Sequence, residues 1–202
     1  MWWLDLEARR TLATATLGGE IHALAVIEAG AIFDERDGPI TLGANSRICA
    51  GATIKGPVTI GDHCMVGNLA MIRGPTVIGN RVSIGFATEV KAAVIEDDVS
   101  IGPQCFVADS LVEQGAYLGA QVRTSNHRLD RKSVTVFAGG QLIDSGHEKL
   151  GCRIGSKASL GIQVIVLPGR DVAPGSIFAP RITVERNLPT GRYRLNQTLE
   201  TF

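Results

Sequence analysis

The sequence predicts an all-β fold, a parallel solenoid of stacked triangular coils, and three observations lead there. First, an aliphatic residue falls at every sixth position from Leu42 to Val90, through Ile48, Ile54, Ile60, Val66, Ile72, Ile78 and Ile84. An amphipathic helix repeats every three or four residues and a half-buried strand every two, so neither produces this period. Second, a small or β-branched residue follows each aliphatic four positions later: Ser46, Ala52, Val58, Cys64, Ala70, Thr76, Val82, Thr88. Third, the 202 residues are 45% apolar but only 5% aromatic, with 24 glycines, which suits a core of stacked Ile and Val.

Residues 1–25 form an N-terminal segment in which Leu4–Arg10 favour a short helix ended by Gly18-Gly19. Val26, Ile27 and Ile32 suggest an irregular first coil, and Asp34 to Pro39 read as a turn. Six residues suit one short strand and one tight turn, so three units close a coil of about 18 residues, with coils roughly 4.8 Å apart. After Val90 the phase slips by one residue through Ile95, Ile101 and Val107, then slips again to Val112 and Leu118. The repeat vanishes over residues 124–151, which read as a long inserted loop. It returns at Ile154, Leu160, Val166 and Val172 and fades through Ile177 and Ile182. The expected domain is thus residues 26–184, about seven coils and roughly 30 Å long. Residues 185–202 are a polar tail that packs on a neighbour or frays.

Twenty basic and twenty acidic residues cancel, which argues against nucleic-acid or anionic-membrane partners. The start Met1-Trp2-Trp3-Leu4-Asp5 lacks the pattern of a secretory signal, and no run approaches the ~18 apolar residues of a membrane span. Cys49, Cys64, Cys105 and Cys152 form no CxxC pair, so reduced thiols in a cytoplasmic protein are expected. Flat, sparsely charged faces invite closed lateral association.

From Gly38 to about Pro189 the chain resembles the hexapeptide-repeat transferase superfamily. It is most similar to the acetyltransferase half of bifunctional sugar-1-phosphate nucleotidylyltransferase/acetyltransferases. The strings that carry this are Met71-Ile72-Arg73-Gly74-Pro75, Val82 to Lys91, Lys149 to Gly155 and Leu167-Pro168-Gly169. The resemblance implies a left-handed parallel β-helix, a homotrimer, and transfer of an acetyl group from acetyl-CoA to an amino sugar, sugar phosphate or nucleotide sugar, with no metal. The residues before the regular coils carry no Gly-rich phosphate loop followed by Lys, so only the acetyl-transfer module is matched.

Acyl transfer needs a general base and donors for a tetrahedral oxyanion. The family's His-Leu-(Ser/Thr)-Tyr motif falls on Pro103-Gln104-Cys105-Phe106, and its sugar-contacting Asn on Tyr117. The expected base is therefore missing. His127, where the repeat breaks into the long loop, is the first replacement, as in the galactoside- and xenobiotic-type hexapeptide acetyltransferases; the alternative is a solvated loop residue or phosphate contact. His147 is the second, against pairing with Glu148. His63 reads as an exposed corner residue and His22 as structural. Arg73 and Lys91 match the family's sugar-phosphate cations and stack one coil apart. They are expected to meet a phosphate or carboxylate ligand, the alternative being pairing with Glu89 or a subunit neighbour. Asn126 and Lys132 match polar residues of the following loop. The resemblance places main-chain groups of Ala120, Ile162 and Ala179 along the pantetheine groove, with Arg170, Arg181 and Arg186 as candidates for CoA phosphates. A different reading keeps the fold without catalysis, as a sugar-phosphate or nucleotide-sugar binding scaffold that lost its His. A carbonic-anhydrase-like zinc site is not supported, because His63, His127 and His147 are too scattered.

Overall fold

The computed structural model describes residues 1–16 and 18–198. Three parallel sheets form the faces of a prism. The first face holds nine strands, from Val26–Ile27 to Arg192–Tyr193. The second holds eight, from Ile32–Asp34 to Thr183–Val184, and the third holds seven, from Ile40–Leu42 to Asp171–Val172. The longest stack thus has nine levels where the repeat count suggests about seven coils. The difference lies at the ends: Val26–Ile27 pairs with Arg47–Ile48, and Arg192–Tyr193 in the polar tail pairs with Ile177–Phe178, by backbone hydrogen bonds that need no hexapeptide pattern. Among the described residues no helix is long and apolar enough to cross a membrane.

The period-six aliphatics point inward as expected: every one from Leu42 to Val90 is at most 1% exposed. Burying each contributes up to about 1.5–3 kcal/mol. The small position four residues on does more than fill space. Ser46 Oγ donates to Gly61 O at 2.6 Å and accepts from Cys64 N at 2.8 Å. Cys64 Sγ repeats the bridge to Gly79 O and Val82 N, and Thr88 Oγ1 does so to Gly102 O and Cys105 N. A short polar side chain here joins a carbonyl of one corner to an amide of the next coil. The thiols are therefore structural, and full burial pushes Cys152 up to about 12.

Corners are built on left-handed backbone at non-glycine residues, among them His63 (φ 56), Arg81 (φ 56) and Asp98 (φ 62). Each donates its N–H to the previous coil, at Ala44 O, Asp62 O and Asn80 O, which offsets the steric cost. The phase slips have one cause. Ile72 pairs with Val90 at 18 residues, but Ile78 pairs with Ile95 at 17, because Lys91-Ala92-Ala93 shortens the corner between the second and third faces. Asp109 repeats that shortened corner one coil later, with φ 48.

Helix α1, Trp2–Thr16, is longer than expected and lies on the third face. Trp3 and Leu6, three residues apart, are buried against Val94 and Leu111 of that face and Val134, Val136 and Leu150 of the insertion. The adjacent apolar pairs Val94-Ile95 and Leu111-Val112 are the sequence signal of this cover, since a strand buried on both sides loses its alternation. The inserted loop is itself ordered into an antiparallel hairpin, Thr135–Ala138 with Gln141–Asp144. Gly139-Gly140, both at positive φ, make its two-residue turn.

Candidate functional site

The chain leaves the solenoid after the second-face strand Arg123–Thr124 and returns at Gly151, so the insertion rises from the corner between the second and third faces. His127 forms an antiparallel bridge with Lys149, which fixes the exit and entry of the insertion side by side. This places His127 on the wall of a cavity of about 550 Å³. Ser125, Arg128, Asp130 and Thr135 share that wall, while Leu129, Leu167 and Pro168 give it an apolar lining. Arg170 closes the solenoid side. The corner beneath must be tight: Gly169 has φ +73, and a Cβ there would sit 2.3 Å from Thr135 O.

Two guanidinium groups face this cavity. Arg128 grips Asp130 with both arms, Nε to Oδ1 at 2.8 Å and a terminal nitrogen to Oδ2 at 2.6 Å, holding that carboxyl well below the usual carboxylate range. Arg170 Nε is buried with no hydrogen-bond partner. Burial, and then the charge of Arg128, lower the Arg170 pKa from its ordinary value.

The other sequence-derived candidates lie elsewhere. His147 faces helix α1, with Nε2 3.7 Å from Glu7 Oε2, and its carbonyl accepts from Val134 N. Arg73 and Lys91 do stack in register, but each has an internal partner. Arg73 Nε donates to Glu89 Oε1 at 2.9 Å, and Lys91 Nζ lies 3.5 Å from Asp109 Oδ2. Asn126 Nδ2 donates to the same Asp109 oxygen at 2.6 Å, so Asn126 belongs to that cluster. Lys132 is exposed, and its N–H donates to Asp130 Oδ1. Among the described residues no group of three or more His, Cys, Asp or Glu is arranged to hold a metal ion.

Ala120 and Ile162 occupy equivalent positions on the corner between the first and second faces, one level apart. Their carbonyls accept from Gln163 N and Arg181 N at 2.9 Å, while among the described residues their own N–H groups donate to no backbone carbonyl. These two N–H groups, one level apart on the same corner, are thus not used by the backbone hydrogen-bond ladder. Ala179 differs, because its N–H donates to Tyr193 O in the added last level, and its neighbour Pro180 has no N–H. Ile162, Ala179, Arg181 and Leu195 line a second cavity of about 550 Å³ there. The two cavities flank the second face, and the five residue-to-residue steps from Ile162 to Leu167 span at most about 18 Å between them. The sequence reading named Ala120 and Ile162 for their main-chain groups and Arg170 for a CoA phosphate; it did not foresee that Arg170 shares a cavity wall with His127.

The bacterial transferase hexapeptide model matches residues 57–92, six repeats within the regular coils. The uncharacterized acetyltransferase YaiX of Escherichia coli O6:K15:H31 is 58% identical over 168 residues, which cover 83% of this chain and 73% of that protein. The chain belongs to the hexapeptide-repeat transferase family. A bifunctional sugar-1-phosphate nucleotidylyltransferase/acetyltransferase of Sulfurisphaera tokodaii is 34% identical over 110 residues, 54% of this chain but 27% of that protein. Among solved structures, a UDP-N-acetylglucosamine acyltransferase from Campylobacter jejuni aligns with TM-score 0.46 and 18% identity over 84% of this chain and 68% of that one.

Proposed function

We propose that the chain is an acyl-CoA-dependent acyltransferase that moves an acyl group, acetyl in the simplest case, onto a hydroxyl or amine of a sugar-type acceptor. The observation that carries this reading is the seating of His127 on the cavity wall by the His127–Lys149 bridge, across the second face from a corner where, among the described residues, the Ala120 and Ile162 N–H groups have no backbone acceptor. Membership of a transferase family supports it, as do the names of the relatives.

In this reading acyl-CoA lies along Ala120 and Ile162 with its thioester directed across the second face toward His127. His127 takes the proton of the attacking hydroxyl or amine as that atom bonds to the thioester carbon. The tetrahedral oxyanion collapses, the C–S bond breaks, and the thiolate of CoA leaves with the proton. Apolar Leu167 and Pro168 keep part of the cavity dry, which strengthens the polar contacts made there. His147, tied to Glu7, holds the insertion against helix α1 instead of acting on substrate.

Release of CoA thiol from acetyl-CoA with amino-sugar acceptors tests this directly. His127→Ala is expected to lose about 10²–10⁴-fold in kcat, the usual share of a general base. His147→Ala is expected to stay close to the unaltered protein. Normal turnover in His127→Ala would overturn the assignment of the base, and failure to bind CoA would remove the acyltransferase reading altogether.

A further inference from the structure

We propose that Arg170, supported by Arg128, is an anion-recognition group of the cavity beside His127, so that the acceptor taken there carries one phosphate or carboxylate. This rests on reading the cavity as the acceptor site.

The argument begins with the fate of every other part-buried arginine. Arg9 meets Glu96, Arg10 meets Asp109, Arg73 meets Glu89, Arg128 meets Asp130, and Arg153 meets Glu113 and Asp171. Arg123 donates to the Gln104 carbonyl. Arg123 and Arg170 have no carboxylate within ion-pair distance among the described residues, but Arg123 has its carbonyl acceptor, whereas Arg170 Nε is buried with none. A guanidinium is planar with a fixed fork of donors, and its best complement is a carboxylate or phosphate oxygen pair. Burial beside a second guanidinium makes such a group more costly to leave unpaired.

Charge and position narrow the ligand further. Asp130 neutralises Arg128, so the ionised side chains Arg128, Asp130 and Arg170 leave the wall with one net positive charge, enough for one anionic group. The edge formed by Arg73 and Lys91 is not free for this purpose, since Glu89 and Asp109 occupy it. The CoA phosphates are poorly placed to reach Arg170. It sits at the corner between the second and third faces, whereas the main-chain amides of Ala120 and Ile162 and the side chain of Arg181 line the corner on the far side of the second face.

Calorimetric titration with glucosamine, glucosamine 6-phosphate, the corresponding 6-carboxylate sugar and CoA separates the sources of the anion. The unaltered protein is expected to bind one of the anionic sugars at least about tenfold more tightly than glucosamine. Arg170→Gln is expected to erase that preference, with glucosamine and CoA affinities within about twofold of the original. Arg170→Lys keeps the charge without the fork and falls between the two, while melting temperatures verify that both variants are folded. Equal binding of neutral and anionic sugars, or an Arg170→Gln loss that falls on CoA, would overturn the proposal. Arg170-dependent sugar binding without any acyl transfer would keep the anion subsite and remove the acyltransferase reading. Transfer to neutral and anionic sugars with the same kcat/KM would do the reverse.

Discussion

Asp109 is 8% exposed, yet its carboxylate receives Asn126 Nδ2 at 2.6 Å and faces Lys91 at 3.5 Å and Arg10 at 3.7 Å. Its main chain is equally engaged, donating to Lys91 O and accepting from Gly151 N across the insertion. One residue therefore links the shortened corner, helix α1 and both ends of the inserted segment. Asp109→Ala would leave Lys91 and Arg10 partly buried without the carboxylate they share, a loss of about 3 kcal/mol. Denaturant unfolding near neutral pH measures this, and a loss below about 1 kcal/mol would show that water replaces the carboxylate. Nothing in the hexapeptide pattern marks the Asp109 carboxylate as a hub, because polar contacts between residues 17 to 99 positions apart leave no local periodicity.

Helix α1 and the insertion share a small core of their own, separate from the solenoid interior. Trp3 and Leu6 pack with Val134 and with Val136 of the adjoining hairpin strand against the third face, and His147 meets Glu7. The cavity beside His127 is thereby shaped by a helix that, among the described residues, contributes none to its wall. Trp3→Ala removes a buried aromatic at a cost of about 3–5 kcal/mol. In a stacked architecture that cost stays local, since each level depends on its neighbours alone. Hydrogen exchange is expected to speed up across residues 134–149 and to stay slow in the coils from 42 to 124. Unchanged protection of the insertion would show that the helix is a passenger.

At the scale of the whole molecule, the outer surfaces of the first and second faces keep Met65, Tyr117, Ile165 and Ile177 exposed, a scattered apolar surface on flat walls. Such walls fit closed cyclic association, and a homotrimer is the assembly we propose, with a neighbour covering the second face between the two cavities. Sedimentation equilibrium is expected to give three times the 21.4 kDa chain mass. Tyr117→Asp and Ile177→Asp together are expected to lower the mass toward the monomer while far-ultraviolet dichroism is retained. A monomeric unaltered protein would refute the trimer and leave both cavities open to solvent on that side.

What the sequence by itself determined is the solenoid. The ladder from Leu42 to Val90 is a one-dimensional property, each residue stacking on the one 18 positions away, so periodicity alone reveals the face each side chain takes. The phase slips were equally visible, although their single cause, a corner shortened at Ala92 and repeated at Asp109, needed the strand register. The insertion read only as a long loop, because its two four-residue hairpin strands lie outside the six-residue period. Only the tertiary structure decided which candidate side chains are already engaged. It paired Arg73 and Lys91 with Glu89 and Asp109, turned His147 toward helix α1, drew the Ala179 amide into the last level, and, among the described residues, left Arg170 Nε without an acceptor in the cavity that His127 lines. The physical reason is that the core depends on spacing along one chain. Whether a polar side chain is free for a ligand depends on which other charges the fold happens to bring within a few ångströms of it.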